Sequence, residues 1–174
     1  EGLRIPPLKL YEKGEPNETM LRILEKAVRV PDKVLGDLAG QVAALSYGEK
    51  EILRLAHQMG IEEFVAYQRE LLDYTEELTR RAIRSLPDGK WSFTDYVDDD
   101  GFDPGPIPIV VNLSKKDDQL HIDFTGTGKQ CKGAIQPVFA TTKSMTYAVV
   151  KSVLGAVAGD IPNTGGYFRP VTIT

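Results

Sequence analysis

Three side chains able to do chemistry stand in alternation in the segment QLHIDFTGTGKQCKGAIQ: His121, Asp123 and Thr125. In a β-strand, residues two apart share a face, so an imidazole, a carboxylate and a hydroxyl would line up together. The strand pattern then runs into a glycine-rich stretch holding Gly126, Gly128 and Gly133. Such a junction can orient a substrate, hold an imidazole in one tautomer or move a proton. The competing reading is the polar outer face of an ordinary hairpin. Asp123 is the stronger candidate of the three. Arg169, just past Gly165 and Gly166, is another. Its guanidinium could bind a carboxylate through two parallel hydrogen bonds, or it could anchor the C-terminal strand in a salt bridge.

Other chemistries fit less well. Gly128 and Gly133 have phosphate-loop spacing, but Ala134 and Ile135 stand where Lys and Ser or Thr are required. Gly126, Gly128 and Gly133 also miss the dinucleotide fingerprint. Lys129 and Lys132 could draw an anion, although solvation alone explains them. Cys131 could pair with His121 only if the loop folded back over the strand, and His57 reads as structural or surface. The acidic run Asp98–Asp103 fails as a calcium loop. With Gly101 as the loop glycine, Tyr96 and Ile107 fall where acidic ligands are needed. A solvated turn is the expectation there. Two histidines and one cysteine are too few for a zinc site.

Composition narrows the class. The 174 residues can bury one sizeable core or two small ones, and the hydrophobic share of 41% is that of a globular protein. A net charge of −4 argues against nucleic-acid binding. No apolar run approaches the ~20 residues of a membrane span, and the opening residues do not read as a signal peptide. One cysteine excludes an internal disulfide and suits a reducing compartment. The chain begins at Glu1 without methionine and ends in Val171–Thr174, a strand just starting. A piece of a longer protein is the expectation.

The elements follow from periodicity and punctuation. Residues 1–16 are proline-rich and read as extended or irregular. Asn17 caps a helix to about Arg29. Pro31 opens a second helix that Gly60 stops, with Gly48 as a candidate bend. A third helix runs from about Ile61 to Leu86, ~39 Å if straight. The short connection implies an antiparallel helical hairpin. Such an arm either docks a partner or covers the chain's own sheet. Trp91–Val97, Ile107–Ser114 and Gln119–Thr125 read as strands. The last two pair with Ser114 opposite Gln119 across a four-residue loop, which gathers Ile109, Val111 and Leu113 with Leu120, Ile122 and Phe124 on one face. Residues 142–158 form a helix apolar on most sides, expected to be buried. Tyr167–Pro170 enters a further strand. The expected fold is α+β, a long helical hairpin followed by antiparallel β-hairpins and a buried helix, divided as 1–89 and 90–174.

Several blocks together resemble the hydantoinase B/oxoprolinase family: EGLRIPPLKLYEKGEPNE, RELLDYTEELTRRAIRSLPDG, DYVDDDG, DFTGTGKQCKG and DIPNTGGYFRP. The family includes the B-type subunits of N-methylhydantoinases, the C-terminal half of 5-oxoprolinase and the large subunits of acetone- and acetophenone-type carboxylases. The resemblance spans essentially the whole chain. It implies a cytoplasmic, ATP-dependent hydrolase of cyclic amides. A partner A-type subunit with an actin-like kinase fold would bind ATP and activate the substrate by phosphorylation. The family's His/Asp-rich, metal-binding segment lies upstream of the block that begins this chain. The resemblance therefore implies a divalent metal in the parent protein and no metal ligands or cofactor here. It also implies that this piece is inactive alone and joins the A-type subunit and the rest of its own polypeptide.

The resemblance maps substrate contacts to Asp123, Thr125, Gly126, Thr127, Gln130, Gly165, Gly166 and Arg169. It identifies no catalytic residue. Gln136 and Tyr167 stand where family members often carry Asn and Cys, which leaves the substrate type open. A ketone carboxylase subunit and a noncatalytic assembly module are the alternatives.

Overall fold

The computed structural model describes residues 5–174; the first four residues of the expected irregular N-terminal segment lie outside them. The chain divides into two compact units, one ending at Phe64 and the other running Val65–Thr174. The expected pairing of the second and third helices would have to form across that division.

The first unit begins with a minimal hairpin, β1 (Tyr11–Glu12) and β2 (Glu15–Pro16), turned by Lys13 and Gly14 at positive φ. Asn17 then caps α1 (Glu18–Ala27), its side-chain oxygen accepting the Met20 N–H at 3.1 Å. Helix α2 (Pro31–Met59) begins on proline and runs unbroken through Gly48 until Gly60, at φ +87°, stops it. Helix α1 packs against α2 within this unit.

The second unit carries nearly all of α3 (Ile61–Arg84), then β3 (Gly89–Asp99), β4 (Pro104–Lys116), β5 (Gln119–Asp123), α4 (Phe139–Ala158) and β6 (Val171–Ile173). The sheet order is β3-β4-β5-β6. The first three strands are antiparallel, as expected, but β6 runs parallel to β5. A short 3-10 turn, Gly165–Phe168, precedes β6 where a direct entry into strand was expected.

The β4–β5 register differs from expectation by two residues: Lys116 pairs with Gln119, Ser114 with His121, Leu113 with Ile122 and Asn112 with Asp123. Asp117 adopts φ +53°, a left-handed conformation that Asp tolerates, and this closes the strands in a two-residue turn. A shift of two preserves the faces, so Val111, Leu113, Leu120 and Ile122 still share the apolar side. They build the core with Ala82 and Ile83 of α3, Leu154 of α4, and Tyr167, Val171 and Ile173. Lys115 also points to this side, where its buried ammonium meets Asp88 at 2.6 Å.

Helix α3 reaches the core through a narrow seam. Thr75 and Thr79 are fully buried there, each hydroxyl donating to the carbonyl four residues earlier, Leu71 and Thr75, at 2.8 Å. Their small volume admits the 3-10 turn so closely that a Cβ on Gly166 would collide with the Leu72 carbonyl oxygen. Tyr167 is consequently buried completely, and burial alone lifts its phenol to about 12.

The expectation that the last helix is buried is wrong. Leu154 is the buried residue of α4, whereas Met145 and Val149 are 64% and 63% exposed, with Val153 and Val157 exposed beside them. Leu154 rests on the core, while Met145, Val149 and Val153 line an open apolar groove between the helix and the sheet. Gly166→Ala should lower stability by about 1–3 kcal/mol or more, because backbone cannot yield to the new methyl group. Urea titration checks this as a lower midpoint at unchanged slope.

Candidate functional site

The turn after β5 is laced to β4. The Asp123 carboxylate accepts the Thr125 N–H at 2.9 Å. The Thr127 hydroxyl donates to the Val110 carbonyl at 3.2 Å and accepts the Val110 N–H at 3.1 Å. The Gly128 N–H donates to the Pro108 carbonyl at 2.8 Å. Gly126 sits at φ +101°, which favours glycine. Bonds from the Thr125 hydroxyl and N–H hold the Asp123 carboxyl below its ordinary range, with smaller help from Thr174 and His121. Asp123 is therefore an acceptor fixed in place, suited to holding a turn.

His121 and Asp123 do share a face, with Ser92, Asn112 and Ser114 around a shallow depression of about 320 Å³. They are joined through Thr174, whose hydroxyl lies 2.9 Å from the imidazole and donates to Asp123 at 3.3 Å. Cys131 belongs to neither. Its thiol donates to the Gln136 side-chain oxygen at 2.6 Å, and the Gln136 amide donates back to the Cys131 carbonyl at 3.2 Å.

A larger pocket, about 690 Å³, opens where the parallel strands β5 and β6 end beside the start of α4. Ligands in α/β folds commonly sit outside such carboxyl ends. Ile109, Phe124, Phe139 and Met145 give it an apolar floor, and Thr125, Thr127, Thr142, Thr146 and Gln136 bring hydroxyl and amide groups to its wall. Val138, at the N-cap of α4, offers no side-chain cap, so the positive end of the helix dipole is left open here. Among the described residues, no carboxylate or ammonium side chain lines the pocket. That mixture suits an uncharged ligand with both apolar and polar parts. A second groove of about 410 Å³, between α4 and the sheet, is lined almost wholly by Leu, Val, Ile, Phe and Met. It could not orient a polar group.

The acidic run proves more than a solvated turn. Asp100 is 6% exposed, and its carboxylate accepts four backbone N–H groups. One oxygen takes Phe102 and Asp103, at 3.0 and 2.7 Å; the other takes Lys132 and Gly133, at 2.9 and 3.0 Å. These bonds depress its pKa to about 2. Lys132 adds an exposed ion pair to Asp103 at 2.8 Å.

The structure splits the residues expected to touch substrate. Asp123, Thr125, Gly126 and Thr127 form one turn, with Thr125 and Thr127 lining the large pocket. Gln130 is exposed in the following loop and lines no part of it. Gly165 and Gly166 pack against Leu72. Arg169 donates from one nitrogen to Asp73 and Glu76 of α3, at 2.7 and 2.8 Å, and with Arg80 holds the Glu76 carboxyl low. Asp100 and the α4 threonines went unnoticed as site parts, since nothing in local spacing brings them to this turn; Gln136 stood out only as a departure from the family pattern. Among the described residues no three His, Cys, Asp or Glu side chains converge, so the implied divalent metal finds no ligand set in them. No described helix is long and apolar enough to cross a membrane.

The fold is an α+β domain with an uncharged pocket at its strand ends. The chain belongs to the hydantoinase B/oxoprolinase family: the family model of that description matches residues 1–174. It is 32% identical to the B component of a putative D-/L-hydantoinase from Pseudomonas sp. (strain NS671), over 99% of this chain and 31% of that protein. It is 33% identical to the beta component of the caprolactamase of Pseudomonas jessenii, over 70% of this chain and 21% of that protein. The crystal structure of the ATP-dependent caprolactamase from Pseudomonas jessenii superposes over the whole chain with a TM-score of 0.82 at 28% identity, covering 29% of the solved chain. The chain thus spans about a third or less of the length of these relatives.

Asp100 sets an acid limit. Its folded pKa lies below the ordinary value of 3.8, so its stabilisation is complete above that value and is lost as pH falls towards about 2. Asp100→Asn should be less stable than the parent at neutral pH, and the gap should narrow between about pH 4 and 2. Denaturant titrations of both proteins across that range check it.

Proposed function

We propose that this chain is part of the B-type subunit of an ATP-dependent cyclic amide hydrolase, acting in the cytoplasm with an ATP-binding A-type partner. The carrying observation is the likeness, along the entire chain, to the ATP-dependent caprolactamase. The hydantoinase and caprolactamase relatives favour a cyclic amide over a ketone.

The pocket chemistry supports the reading. A lactam is a methylene ring with one amide edge. Phe124, Phe139 and Met145 offer the ring an apolar bed, and Thr125 and Gln136 offer partners for the amide N–H and carbonyl. An unstrained amide is a poor electrophile. Transfer of the terminal phosphoryl group from ATP to the amide oxygen, on the A-type partner, makes the ring carbon electrophilic; water adds there, the C–N bond breaks to release the amine and leave an acyl phosphate, and a second water hydrolyses that, so ATP, amide and two waters become ADP, phosphate and the open-chain acid. In this scheme the present residues bind and orient the ring, and the reactive machinery lies elsewhere in the assembly.

The test is turnover by the whole protein with its A-type partner, offered ATP with hydantoin, 5-oxoproline or caprolactam. ATP-dependent ring opening of at least one is expected. Thr125→Val should cut kcat/KM about tenfold, through loss of one polar contact, with a small fall in melting temperature from loss of the hydroxyl's bond to Asp123. Residues 1–174 alone should give none. No turnover by the assembly, or steady turnover by the isolated chain, would overturn the proposal.

A further inference from the structure

The geometry points to Asp100 as the residue that positions Gln136 at the rim of the strand-end pocket, by pinning the glycine-rich loop through two backbone amides. This rests on the pocket reading above and adds a control point outside the pocket.

The loop from Gly128 to Val138 has few fastenings. Its N-terminal end is tied by Gly128 to Pro108. Its C-terminal end joins α4, where the Val138 carbonyl accepts the Thr141 N–H at 2.9 Å; between these ends, among the described residues, its hydrogen bonds to the rest of the chain are those of Lys132 and Gly133 to Asp100 and the exposed Lys132–Asp103 pair. Residues 134–138 are exposed, so packing does little to hold them. The Asp100 contact is close as well as polar. A Cβ on Gly133 would collide with the Asp100 carbonyl oxygen, so only glycine lets the loop reach this depth.

Gln136 is three residues further on. Its side chain is clasped by Cys131, which is adjacent to Lys132, and it lines the pocket. Fixing Lys132 and Gly133 therefore fixes Cys131, and Cys131 fixes Gln136. Asp100 can do this while anchored itself, because its second oxygen is held by Phe102 and Asp103. An amide in place of the carboxylate would leave one pair of backbone N–H groups, those of its own turn or those of the loop, facing another donor and so break the junction.

The experiment compares the whole protein with Asp100→Asn, Asp103→Asn and Gln136→Ala. Peptide mass spectrometry reads the alkylation rate of Cys131, and calorimetry reads the affinity for caprolactam. In Asp100→Asn, alkylation should rise about tenfold and affinity should fall about tenfold, since charge-assisted bonds hold the loop. Asp103→Asn should change neither. In a Gln136→Ala background, Asp100→Asn should cost no further affinity, which a general loss of stability would not reproduce. If Asp100→Asn fails to fold, Gly133→Ala, which keeps the carboxylate and displaces the loop, takes its place with the same expected outcome. Unchanged alkylation, faster alkylation with unchanged affinity, or equal losses in the Gln136→Ala background would overturn the inference. Should the parent protein bind no caprolactam, the pocket reading fails by itself, and alkylation of Cys131 alone decides whether Asp100 holds the loop.

Discussion

One buried carboxylate, satisfied by four backbone amides, joins two loops that share no secondary structure. Burying a carboxylate is costly unless every lone pair finds a donor. Asp100 meets that requirement by dividing its oxygens between its own turn and the glycine-rich loop. The tip of the β3–β4 hairpin and the segment leading into α4 are thereby fixed to each other. The large pocket lies between the β5 turn and that segment, so its shape depends on this junction.

The sheet has two unlike faces, and they divide the chemistry. Its apolar face carries the core against α3, the 3-10 turn and Leu154 of α4. Its other face shows His121, Asp123, Asn112 and Ser114 to solvent, with hydrogen bonds that tie His121, Asp123 and Asn112 to near neighbours. The pocket lies at the strand ends, where the parallel β5–β6 pair stops and Ile109 and Phe124 carry the apolar face outward as its floor. Arg169 shows the same division. Its charge is spent on Asp73 and Glu76, where it holds the 3-10 turn to α3.

Local rules made much of this fold legible. The Asn17 cap, Pro31 and Gly60 set helix limits that the structure keeps nearly to the residue. Alternation in Val111, Leu113, Leu120 and Ile122 assigned the right faces, even though the register was two residues off. Face depends on parity, whereas register depends on whether Asp117 adopts a left-handed φ. Three features were beyond reach. Hydropathy marked α4 as apolar but says nothing about whether a neighbour covers it. Thr75 and Thr79 read as polar, yet they are core because each hydroxyl bonds within its own helix. Asp100 looked like one of several turn carboxylates, and its loop partners Lys132 and Gly133 lie far along the chain. Of the site, the DFTGTG turn was legible, since glycine and threonine announce a tight turn. The contribution of the α4 threonines, and the place of Gln136 in the pocket wall, came only from tertiary placement.

The central claim is that a cyclic amide sits in the strand-end pocket. A crystal structure of the whole protein with caprolactam or hydantoin bound tests that most directly. Ring density is expected against Phe124 and Phe139, with the amide edge within hydrogen-bonding reach of Thr125 or Gln136. Density on the opposite sheet face beside His121, or wholly within residues outside this chain segment, would contradict it.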